Sequence, residues 1–173
     1  MKSRILAEIR RLAHGPDSNE KPKGAGTVRF VVRCPLGSDS VMVKSKEVLR
    51  VLAEKILIEG TNERDWAASL PAWFKDACVP EMTPEEAQLW IGHWRSLPPA
   101  EQAREEAEKE WSLENWLYWM RPENRQWFWW DAKSIGDLDH ILVAVEVEAW
   151  PFPWGALRWL FKAAGASAVE AEQ

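Results

Sequence analysis

Apolar positions along the chain recur in two periods, one near 3.6 residues and one of 2, which predicts a mixture of helices and strands. Ile5, Leu6, Ile9 and Leu12 recur at helical spacing, and Gly15-Pro16 stops the run. Between residues 27 and 34 the period falls to two. Val28, Phe30, Val32 and Cys34 alternate with Arg29, Val31 and Arg33, the pattern of a strand with one buried face. SVMVK (40–44) reads as the return strand of a hairpin. Ser45 then reads as the N-cap of a helix to about residue 59, striped by Val48, Leu49, Leu52 and Ile56 and ended by Gly60.

Residues 64–78 read as helix interrupted at Pro71. Thr83, Pro84 and Glu86 spell a helix start: a capping hydroxyl, proline at the first position and a glutamate at the third. That helix carries Leu89, Trp90 and Trp94 as far as Pro98-Pro99, and AEQAREEAEKE (100–110) follows as a helix with almost no apolar face. Ser112 caps a helix to Met120. RQWFWWDAK (125–133) and HILVAVEVEAW (140–150) read as strands around a SIGDLD turn, and Pro151 and Pro153 separate the second from a last helix, 154–164, stopped by Gly165. The expectation is one α+β domain over residues 1–166, with about four mostly antiparallel strands and five or six helices. Within it residues 16–26 are expected to form a mobile loop, and residues 167–173 a frayed tail.

Length and composition narrow the class. At 173 residues the chain can bury roughly two-thirds of its unfolded surface, so folding requires neither disulfide nor metal. Two cysteines, Cys34 and Cys78, suit a reducing compartment. The first residues, MKSRILAEIRRLAHG, break their apolar positions with charge and lack a signal core, and no apolar run approaches a membrane span. The expected setting is cytoplasmic, without membrane contact.

Charge and tryptophan are both unevenly spread. Residues 1–60 hold 12 bases and 7 acids; residues 61–173 hold 10 bases and 20 acids. All 13 tryptophans lie between Trp66 and Trp159. An acidic, tryptophan-rich body is a poor partner for nucleic acid, whose phosphates require clustered Lys and Arg. RQWFWWD puts Trp127 and Trp129 on one strand face and Phe128 and Trp130 on the other. Either helices cover both faces or one face awaits a partner.

Candidate chemistry is sparse. His14, His93 and His140 have no metal-ligand spacing, neither cysteine sits in a Cys-x-x-Cys, and Gly24-Ala25-Gly26 follows a polar loop where a phosphate-binding loop follows a strand. No metal or cofactor is expected. Asp137, Asp139 and His140 hold the elements of an oriented base, but no nucleophile has a recognisable setting. Glu146 and Glu148, two apart on a strand, point to one side like the paired glutamates of ADP-ribosyltransferases and some glycoside hydrolases. A half-exposed strand produces the same spacing, with Val143, Val145, Val147 and Ala149 inward, and Arg29 and Arg33 are available as ion-pair partners. The expectation is no enzymatic activity, with glutamate-pair chemistry or a Trp-lined ligand module as alternatives.

The run SLENWLYWMRPENRQWFWWDAKSIGDLDHILVAVEVEAWPFPWGALRWLFKAAGA (112–166) resembles bacterial immunity proteins of polymorphic-toxin systems. The resemblance rests on the Trp-rich helix-strand unit, the Val-rich strand, and Trp150-Pro151-Phe152-Pro153 leading into Gly155-Ala156-Leu157-Arg158-Trp159-Leu160. It implies a small cytosolic protein that binds and neutralises a cognate toxin. Acidic surface attracts basic partners, and indoles make good interface anchors. The expected contact residues are accordingly Glu101, Glu105, Glu106 and Glu108 with Trp111, Trp119 and Trp129.

Overall fold

The computed structural model describes residues 1–136 and 138–172; Asp137, named above beside His140, lies outside them. The helices among these residues number eight: α1 (Lys2–His14), α2 (Ser38–Leu57), α3 (Glu63–Ser69), α4 (Ala72–Ala77), α5 (Pro84–Ser96), α6 (Pro99–Glu108), α7 (Leu113–Met120) and α8 (Gly155–Ala163). Four strands, β1 (Gly26–Arg33), β2 (Trp127–Ile135), β3 (His140–Val147) and β4 (Ala168–Ala171), form one antiparallel sheet in the order β2-β3-β1-β4. The α+β class holds, with more helices than the five or six expected.

Alternation aims Phe30, Val32, Ile141, Val143, Val145 and Val147 at one face of the sheet, where α2, α7 and α8 bury them with Trp116, Leu157, Leu160 and Phe161. A bulge between Trp129 and Asp131 keeps Trp127 and Trp129 on that face and carries Ala132 and Ser134 back to it, opposite Val143 and Ile141. Burying this apolar surface supplies most of the stabilisation, at about 25 cal/mol per Å² removed from water.

On the other face α1 lies over Phe128 and Glu146 and brings charge with it. Glu8 takes a bidentate ion pair from Arg125 and a hydrogen bond from the Trp129 backbone N–H at 2.7 Å. The guanidinium groups of Arg4 and Arg11 stack over Phe128 and Trp130, 4.4 and 4.7 Å from the ring centres. Helices therefore cover both sides of the Trp127–Trp129 run, which answers the question its pattern raised.

Two expected elements differ. SVMVK is part of α2: Val41, Ser45, Val48, Leu49 and Leu52 continue one helical stripe, and Ser38 Oγ meets Ser134 Oγ at 2.8 Å. Ser45 accordingly sits inside the helix, buried, and is no cap. The fourth strand comes from the carboxy-terminal residues expected to fray, which pair with β1 from Phe30↔Ala171 to Arg33↔Ala168. The 16–26 loop, expected to be mobile, is fastened at two points. Glu20 bridges Arg10 and Arg11, and Ala25 N–H donates to the Val147 carbonyl at 3.0 Å. A Cβ on Gly24 would come within 2.4 Å of that same carbonyl oxygen, so only glycine allows the approach. Among the described residues no helix is long and apolar enough to cross a membrane.

Candidate functional site

Residues 80–111 form an arm that contributes no buried residue to the core. Its base is pinched where Val79 N–H donates to the Trp111 carbonyl at 3.1 Å and Val79 bridges Ser112. Thr83 caps α5 reciprocally with Glu86 as its sequence foretold: the Glu86 N–H donates to Thr83 Oγ1 at 3.2 Å, and the Thr83 N–H to Glu86 Oε2 at 2.9 Å. Trp94 and Gln102 sew α5 to α6, each side-chain nitrogen donating to the other residue's carbonyl at 3.3 and 3.0 Å. Trp90 stacks on Trp94 at 6.3 Å, and Lys162 Nζ of α8 donates to the Ala107 carbonyl at 3.1 Å.

Where the arm meets the body a cleft of about 470 Å³ opens between α6, α7 and the start of α8. Its walls are the indoles of Trp90, Trp111, Trp119 and Trp154, with Phe152 and Pro153. Trp111 lies against the first turn of α8 so closely that a Cβ on Gly155 would fall 2.5 Å from its ring. Two cations face the same space. Lys109 Nζ sits 3.8 Å from the centre of the Trp90 ring, and the Arg158 guanidinium 4.0 Å from that of Trp154. Burial lowers the pKa of both, against the opposing field of Glu106. The first turn of α8 has neither an acidic residue nor a side-chain cap. A partly enclosed volume with aromatic walls and a few fixed charges is a usual form of a small-ligand site.

The expected contact residues divide three ways. Glu101, Glu106 and Glu108 are exposed on α6, while Glu105 is half-buried, 3.8 Å from His93. Trp111 and Trp119, both half-buried, line the cleft. Trp129 is the correction: at 0% exposure it is a core residue under α2 and α8 and presents no anchor. Trp90, Trp154, Lys109 and Arg158 were missed. The four-residue spacing of Trp154 and Arg158 was a readable signal, because side chains that far apart meet on a helix.

The glutamate pair has a different setting from the one expected. Glu146 is 2% exposed and sits under α1, bonded to Arg4 at 2.7 Å and Arg11 at 3.2 Å. Arg4 also pairs with Glu148. The strand arginines are not the partners; Arg29 faces Glu172 instead. A carboxylate held by two guanidinium groups beneath a helix is in poor position to meet a substrate. His140 Nδ1 lies 2.7 Å from Asp139 Oδ1, and this hydrogen bond holds the Asp139 carboxyl below its usual range. The Cys34 thiol is pushed up to about 11, by burial first and by Asp139 second, which disfavours the reactive thiolate. Among the described residues no three His, Cys, Asp or Glu side chains gather as metal ligands do.

No protein-family model, no curated protein and no solved structure matches this chain.

Proposed function

We propose that this chain is an immunity protein, binding and neutralising a cognate bacterial toxin domain of basic charge through α6 and the indoles beside it. The observation that carries the reading is the α5–α6 arm. Between residues 83 and 110 it holds seven glutamates against three bases, and none of its residues is buried. Ordering backbone costs about 1–2 kcal/mol per residue, which such an arm recovers only in small part from its own contacts. A surface held out from the core, acidic, and edged by half-buried Trp111 and Trp119 is suited to a basic partner. The same charge is unsuited to nucleic acid.

The resemblance of residues 112–166 to immunity proteins supports the same reading. Chemistry on Glu146 and Glu148 has weaker support, since Arg4 and Arg11 already hold Glu146. The test is co-expression with the toxic domain encoded by the neighbouring gene. Growth is rescued by the parent chain and lost with Trp119→Ala at unchanged circular dichroism. Absence of both rescue and complex with that domain would end the proposal.

A further inference from the structure

We infer that the cleft between α6, α7 and α8 is a binding site for a small molecule built from a flat apolar ring and a single carboxylate, held by the indoles, Lys109 and Arg158. Shape and charge both point there. A volume of about 470 Å³ accommodates one or two rings, and the indoles of Trp111, Trp119 and Trp154 offer them stacking faces.

Among the described residues neither Lys109 nor Arg158 makes a hydrogen bond or salt bridge through its charged group, and Arg158 Nε is buried without a partner. Two partly buried cations without a hydrogen-bonded carboxylate leave uncompensated charge at the cleft, which an anion entering it would pair. Among the lining charges the two cations face Glu106, and Glu81 acts on Lys109 from outside the cleft, so at most one positive charge is left to be matched. A carboxylate supplies one negative charge, whereas a phosphate monoester brings nearly two. The uncapped first turn of α8 borders the same space and adds a favourable field for an anion. The cleft shares Glu106, Trp111 and Trp119 with the proposed toxin-binding surface, but ligand binding is read out with no partner protein present, so the two proposals fail separately.

The experiment titrates the full chain with indole-3-acetate and follows the indole N–H signals in proton–nitrogen correlation spectra, those of Trp111, Trp119 and Trp154 assigned by Trp→Phe substitution. Saturable shifts confined to these cleft indoles are expected. Arg158→Gln and Lys109→Gln should each weaken binding about tenfold, the loss of one charge-assisted contact. Lys109→Gln alters an arm residue outside the core, so it keeps the test valid should Arg158→Gln disturb folding. Indole-3-acetamide, which has the ring without the charge, should bind at least about tenfold more weakly. Inorganic phosphate should give no comparable shifts. Absence of saturation at millimolar probe, equal affinity for acid and amide, or unchanged affinity in the Lys109→Gln chain would each overturn the assignment.

Discussion

Glu8 and Arg125 face each other as a bidentate ion pair between α1 and the approach to β2, the Arg125 Nη1 to Glu8 Oε2 distance being 2.9 Å, and both side chains are buried. The third bond to Glu8, from the Trp129 N–H, makes this carboxylate a bolt between the first helix and the sheet. Removing one partner of a buried pair typically costs about 3–5 kcal/mol, because the other charge is stranded. Arg125→Met should therefore destabilise the chain by about that much, measured by urea unfolding. Adding Glu8→Leu should recover part of the loss but not all, since the Trp129 N–H is then left without an acceptor. Full recovery in the double variant would show that the backbone bond contributes little.

The last helix should be as necessary as the sheet. Leu157 on α8 is wholly buried in the main core, and its truncation to alanine leaves a cavity there. The cost of such a cavity is about 2–5 kcal/mol, which lowers the melting temperature of a chain this size by roughly 5–15 °C. A Leu157→Ala chain that melts like the parent would contradict the packing described.

Thiol chemistry gives a test by pH. Cys34, pushed up to about 11, should resist a disulfide reagent at pH 8 in the native chain and react on denaturation. Cys78, half-buried and also raised by burial, should be the faster of the two in the native state. The unfolded thiol ionises near pH 8.5 and the folded one about two pH units higher, so Cys34 adds stability below pH 8.5 that fades as pH rises toward 11. Cys34→Ser should flatten the alkaline limb of the stability curve. Two rapidly reacting thiols in the native protein would refute the burial.

Partner binding should separate into two kinetic parts. Reversing Glu105, Glu106 and Glu108 to lysine removes long-range attraction and should slow association about tenfold or more at low salt. The effect should shrink as salt screens charges beyond about 8 Å. Trp119→Ala should act on dissociation instead, faster by roughly thirtyfold if the indole is worth about 2 kcal/mol. Equal effects of both variants on both rates, by surface plasmon resonance, would mean that charge and ring do not divide the work this way.

The parts of the fold with a long period or a strong punctuation mark were legible. Thr83-Pro84-Glu85-Glu86, Ser112 and Gly165 mark their helix ends in sequence because the capping chemistry is local. SVMVK was misleading because five residues containing two valines fit either period, and only their continuation into Val48, Leu49 and Leu52 decides for helix. AVEA at 168–171 is too short to announce a strand; the open edge of β1 makes it one. At the site, the acidic stretch and Trp111 and Trp119 could be picked out one by one. Their meeting with Trp154 and Arg158 depends on the docking of α8 against the arm, which no spacing within either segment encodes.

The strand order has a consequence for biosynthesis. β1 is made early, yet its two neighbours are β3 and β4, so Arg33 waits for His140 on one side and Ala168 on the other. On the ribosome, Phe30 and Val32 emerge with no strand to pair with until Val143 and Ile141 have followed. The sheet therefore assembles only once β3 and β4 have followed, and until then the β1 segment exposes an apolar edge that calls for chaperone cover.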